Sequence, residues 1–146
     1  VVVVQNPQWM YNLTVDVAHT YYVGDGEWLV HNANCKLALG LASTIEQEAE
    51  KNPELSIAKK ILGHGIQDPR TLGTGILGLM DDAESIHFFT RGMLDKPAQW
   101  YNYGKEGIGV GNITHWEFYQ IMSNPNYLAK TTFYDELNNV MQIIIP

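Results

Sequence analysis

The sequence predicts an α+β protein: an N-terminal β-hairpin, then a helix-rich module closed by a second, C-terminal β-hairpin. Three observations predict it. Apolar residues between Tyr11 and Val30 recur with a period of two, the spacing becomes helical after Asn32, and extended runs return after Tyr127 around a turn-like segment. An apolar fraction of 45% supports a packed core, and 146 residues give room for one ordinary domain with a short appendage.

In the first segment Tyr11, Leu13 and Val15 alternate with Asn12 and Thr14, and Thr20 to Val23 leads through Gly24-Asp25-Gly26 into Trp28-Leu29-Val30. Asp-Gly is a strong hairpin signal because Gly accepts the positive φ of a tight turn. Such a hairpin brings the His19 and His31 ends of its arms together and leaves Asn32 where a strand stops. An Asn side-chain amide can attack its own backbone carbonyl, forming a succinimide and expelling the next residue. The departing amine is a poor leaving group, so the reaction needs proton donors, and two imidazoles titrating near neutrality supply them.

In this order the residues resemble the C-terminal motifs of the Hedgehog/intein (HINT) superfamily, in particular the pretoxin HINT domains that precede toxin modules in bacterial polymorphic toxins. The resemblance covers residues 9–32. It implies that His19 is the upstream motif histidine, His31 the penultimate histidine and Asn32 the cyclising asparagine. It further implies a division into residues 1–32, the end of a self-cleaving domain, and residues 33–146, an effector module. Splicing members carry Cys, Ser or Thr after the cyclising Asn, whereas Ala33 stands here, so cleavage without ligation is expected. Asn34-Cys35 offers a second junction, but Ala33 precedes it in place of a His, which favours Asn32. The family's N-terminal half, with its nucleophile and Thr-x-x-His motif, is not found ahead of this segment. Autocatalysis is therefore expected of the complete HINT domain and not of this chain. The resemblance also implies a secreted or cell-surface parent, an effector acting in the target-cell cytoplasm, and a cognate immunity protein as partner.

Nine basic and sixteen acidic side chains give a net charge of -7. Every Lys and Arg follows Asn32, as do thirteen of the acids, so residues 33–146 carry -4, which disfavours broad attraction to phosphate backbones. No run reaches the roughly 18 apolar residues that span a bilayer, and Val1 to Val4 is too short for a signal peptide, so an export signal is expected upstream. Cys35 is the only cysteine, which excludes an internal disulfide and a cysteine-rich zinc site and suits a small buried hydrophobe.

Beyond Asn32, Lys36 to Lys51 reads as a helix with Leu37, Leu39, Leu41, Ile45 and Ala49 inward. Asn52-Pro53 ends it, and Glu54 to Leu62 reads as a second helix opened by Pro53. Ile66 to Met80 contains Gly73, Gly75 and Gly78 without Gly-Lys-Ser/Thr, so a tightly packed turn or helix is expected in place of a phosphate loop. Asp81-Asp82 opens a predicted helix through Arg91 that puts Glu84 and His87 on one face. Pro97 to Gly111, rich in Gly and aromatics, reads as a binding loop, and Thr114 with Glu117 as the capping box of a helix ending near Asn124. Tyr127 to Tyr134 and Val140 to Ile145 read as extended arms around Asp135 to Asn139.

His64, Asp68, Arg70, Glu84, His87 and Arg91 form the main candidate cluster, with His115 and Glu117 as a second. His and carboxylate pairs act as acid and base, and Arg neutralises a phosphate or oxyanion. For the effector, His64, His87, Arg91 and His115 are the candidate catalytic residues; Glu84-x-x-His87 supplies only two ligands, so no metal site is expected. The cofactor is left open. Polymorphic-toxin effectors are most often nucleases, so the resemblance implies a hydrolase acting on nucleic acid. The acidic balance keeps a second class, NAD consumption or nucleotide transfer with Trp100 to Tyr103 stacking a base. A third is a non-enzymatic structural tip of a surface protein.

Overall fold

A computed structural model describes residues 20–23, 28–31, 35–62, 68–109 and 111–145. Strands β1 (Thr20–Val23) and β2 (Trp28–His31) pair antiparallel with Thr20 opposite His31, and they form a two-stranded sheet of their own. His19, the Gly24-Asp25-Gly26 turn, Asn32 and His64 lie outside the described residues.

The remaining elements run β3 (Lys36–Gly40), α1 (Ala42–Lys51), β4 (Leu55–Ile57), α2 (Ala58–Leu62), α3 (Pro69–Asp82), β5 (Ser85–Phe89), α4 (Pro97–Lys105), α5 (Ile113–Ser123), α6 (Pro125–Ala129), β6 (Thr131–Tyr134) and β7 (Val140–Met141). The class is α+β, built around a five-stranded mixed sheet of order β4-β3-β5-β6-β7. Its first four strands are parallel, and β7 alone runs antiparallel, against β6.

The parallel core corrects the sequence reading at two places. Lys36 to Gly40 opens a strand and not a helix, and the segment from Ala83 to Arg91 holds β5 in place of a helix. The causes differ. Strand β3 is covered on both faces, so Leu37, Ala38 and Leu39 are buried in succession and show no alternation, whereas β5 alternates only from Ser85 to Phe88, with Ser85 and His87 partly buried, before Phe89 closes it with a second buried residue. A short continuous apolar run is as compatible with a buried helix as with a strand. Glu54 to Leu62 likewise divides into the edge strand β4 and the short α2. Two further expectations shift: Pro97 to Lys105 is helical and not a loop, and Tyr127 sits in α6 ahead of the extended arm. From Pro69 the Gly-rich segment is helix α3, with Asp68 as its N-cap accepting from the Thr71 N–H at 3.1 Å.

The sheet separates two cores. On one face Leu37, Leu39, Ile86, Phe88 and Phe133 meet Ile76, Met80, Trp100, Phe118, Ile121 and Tyr127 from the helices α3 to α6. Phe118 is the keystone, with Phe88, Phe133 and Trp100 at ring separations of 5.6, 6.0 and 5.4 Å. On the other face Ala38, Leu55, Ile57 and Phe89 pack with Ala49 and Ile45 of α1. That helix lies over β3 and β4, and Ser85, His87 and Thr132, farther across the same face, are only partly buried.

Helices α4 and α5 approach so closely that a Cβ on Gly104 would enter the His115 carbonyl and lie 2.7 Å from Tyr119 Cβ. Gly104→Ala is expected to cost about 3 kcal/mol, because backbone cannot move aside as a flexible side chain can. A urea-unfolding midpoint equal to that of the parent would contradict this close seam.

Candidate active site on the partly covered sheet face

Register places five polar side chains on the α1 face of the sheet. Lys36 pairs with Ser85, His87 lies two residues beyond Ser85 on β5, and Thr132 and Tyr134 flank His87 and Phe89 on β6. Because β5 is a strand, the expected partnership of Glu84 with His87 on one helical face does not form; residues two apart share a face instead. That period brings Ser85 Oγ to 3.0 Å from His87 Nε2, while Tyr134 Oη lies 2.8 Å from His87 Nδ1. The Tyr134 ring is held by stacking on Phe89 at 4.7 Å and lies nearly parallel to the imidazole at 5.8 Å.

The electrostatics keep this imidazole neutral. Burial pushes the His87 pKa below its ordinary value, and the Lys36 ammonium pushes the same way. In the tautomer that donates from Nδ1 to Tyr134, Nε2 is an acceptor facing a hydroxyl, the arrangement a general base requires. Tyr134 stays a phenol, since burial raises its pKa more than Lys36 lowers it. Lys36 itself is ion-paired with Glu54 on the protein surface.

The other sequence candidates are distributed elsewhere. Arg91 leaves the end of β5 and pairs with Glu48 Oε1 at 3.0 Å and Gln47 at 3.0 Å. Glu48 also accepts from Lys51 and Asn138, and these donors hold its carboxyl below the usual range although burial opposes them. This knot fastens the β6–β7 turn to α1, a structural task that occupies Arg91. His115 is on α5, across the sheet from His87, edge-on to the Tyr103 ring at 5.6 Å, with its pKa lowered by burial. Asp68 serves as a helix cap. His31 ends β2, and of the proposed cleavage residues it alone is described. Among the described residues no group of three or more His, Cys, Asp or Glu side chains converges to hold a metal. No described helix is long and apolar enough to cross a membrane. Cys35 is buried, and burial raises its thiol pKa. Sequence reasoning missed Ser85, Tyr134 and Lys36, whose proximity appears only once β3, β5 and β6 are aligned.

Glu117 is the second departure. Asn112 occupies the N-cap of α5, so Thr114 and Glu117 lie inside the helix and form no capping box. Instead both reach Gly40 at the end of β3: Thr114 Oγ1 donates to its carbonyl at 3.2 Å, and the Glu117 carboxyl accepts from its N–H. Gly40 is required there: its φ is +141°, and a Cβ at this position would lie only 2.5 Å from the Phe89 carbonyl oxygen. Glu117 is 5% exposed, and its Oε2 has no hydrogen-bond partner among the described residues. Burial pushes its pKa up to about 8 against the opposing pull of the Gly40 N–H. A folded-state pKa above the unfolded value means that stability is full below about pH 4.5 and declines as pH rises towards 8. Glu117→Gln is expected to flatten that decline. Urea unfolding at pH 5 and pH 8.5 checks it, and equal pH slopes for parent and variant would contradict the buried neutral acid.

No family model, curated protein or solved structure matches the chain.

Proposed function

We propose that residues 33–146 are the effector module of a secreted polymorphic toxin, freed from a self-cleaving HINT domain by cyclisation of Asn32, and that the effector is a nuclease with His87 as its acid–base residue. The Ser85–His87–Tyr134 chain beside Lys36 carries the reading. A neutral imidazole with one nitrogen anchored and the other facing a hydroxyl is equipped to move a proton, and an adjacent ammonium complements a phosphodiester. The separate pairing of β1 with β2 supports a boundary ahead of β3. The parent is then cell-surface or secreted, the site of action is the target-cell cytoplasm, and a cognate immunity protein is the natural partner.

A second reading, a toxin that consumes NAD or transfers a nucleotide, is favoured by the strand order. The chain moves from β3 outward to β4 and then back across β3 to β5, so a topological switch point lies at the carboxyl ends of β3 and β5. Open parallel sheets bind nucleotides at such crevices. Expression of the full chain in bacteria without an immunity protein separates the readings. Growth arrest with loss of RNA or DNA is expected; NAD depletion with intact nucleic acid would transfer support to the second reading, and normal growth would support a structural tip.

A further inference from the structure

Resting on the nuclease reading, we propose that the substrate is RNA and that its own 2′-hydroxyl, seated where Ser85 Oγ now meets His87 Nε2, is the attacking nucleophile.

The free protein already displays the required contact. Ser85 Oγ stands 3.0 Å from Nε2, so the outward nitrogen of His87 is set for an alcohol oxygen and not only for water. Tyr134 at 2.8 Å fixes the opposite nitrogen, and its ring, stacked on Phe89, keeps the imidazole from turning away. Ser85 and His87 lie on one strand face with Lys36 directly across from Ser85, so base, hydroxyl position and cation follow one another along the sheet. A substrate that carries its nucleophile next to the scissile phosphate needs nothing else: one base for the hydroxyl, one cation for the phosphorane and one proton for the leaving oxygen. Ribose supplies that hydroxyl and deoxyribose does not. The Lys36–Glu54 pair is solvent-exposed on both sides, 41% and 67%, which makes it an exchangeable contact that an incoming phosphate can replace.

The step balances without water or a co-reactant. The 2′-oxygen forms a bond to phosphorus as its proton passes to His87 Nε2. The phosphorus–O5′ bond breaks, its electron pair leaves with O5′, and Lys36 Nζ delivers a proton to that oxygen. One strand ends in a 2′,3′-cyclic phosphate and the other in a 5′-hydroxyl, and proton return from His87 to Lys36 through solvent resets the site. With -4 over residues 33–146, few phosphates are engaged at once, which suits a short single-stranded or looped segment.

The test presents the full chain with a 5′-labelled single-stranded RNA, its all-2′-deoxy copy and its 2′-O-methyl copy. Cleavage of RNA faster by about 10³ or more than of either copy, with cyclic-phosphate ends, is expected. Comparable cutting of the deoxy strand would overturn the inference while leaving the nuclease reading intact; so would RNA ends bearing a 3′-hydroxyl. No cutting of any strand by a chain that arrests growth would overturn both. Lys36→Ala is expected to slow RNA cleavage by about 10² and to recover on a substrate whose leaving atom is a 5′-sulfur, which needs no proton. Failure of that recovery would remove Lys36 from the step.

Discussion

Asn32→Ala in a precursor that restores the proposed HINT domain is expected to leave the polypeptide whole. Only a side-chain amide can close the five-membered succinimide on the Asn32 carbonyl, and Ala33 supplies no nucleophile that could take over the junction. His31→Ala in the same precursor is expected to slow release by about 10², the usual loss when a positioned general acid is removed. The β1–β2 register sets Thr20 opposite His31, and His19 precedes Thr20 in the sequence. Intact-mass analysis after incubation decides the matter: release of a fragment beginning at Ala33 from the alanine variant would show that another group severs the chain.

His87→Asn is the second large effect. Asn preserves a polar, planar side chain that can meet Tyr134 or Ser85, but it cannot accept and hold a proton near neutral pH. The variant is expected to keep the parent's circular dichroism and to lose roughly 10²–10⁴ of nuclease activity, the range for a general base. The pH profile gives an independent readout. Since burial and Lys36 depress the His87 pKa, the acid limb of kcat/KM is expected below 6.5, with activity rising to a plateau above it. The groups facing His87 are Ser85 on its own strand, Lys36 with its partner Glu54 from β3 and the β4 approach, and Tyr134 from β6. Lys36→Met, lacking the cation, is expected to move the acid limb upward. A limb unmoved by that change, or an Asn variant as toxic as the parent, would sink the assignment.

The sequence made the α+β class legible through its change of period after Asn32, and it singled out His87. It concealed the partners of His87. Strand β3 is buried on both faces, so the alternation that reveals a half-exposed strand is missing from Leu37-Ala38-Leu39, and in β5 it lasts only from Ser85 to Phe88 before the adjacent buried pair Phe88-Phe89 interrupts it. A helical reading of the second segment then coupled His87 to Glu84, three residues away, and hid Ser85, two residues away. Tyr134 is 47 positions distant and Lys36 belongs to the first strand of the sheet, so only parallel pairing brings them near His87. Glu117 was hidden differently. Thr-x-x-Glu is a capping signature when Thr stands at the N-cap, but here Asn112 takes that place and the motif falls inside the helix, where its side chains reach Gly40.

The position of β3 in the sheet has a consequence for timing. This central strand starts at Lys36, four residues after Asn32, and Lys36 lies directly across from Ser85. The backbone therefore enters β3 beside the stripe formed by Ser85 and His87. On the proposed reading, a precursor still joined at Asn32 carries its upstream part within four residues of that strand, so latency before severance and arming after it follow from one placement.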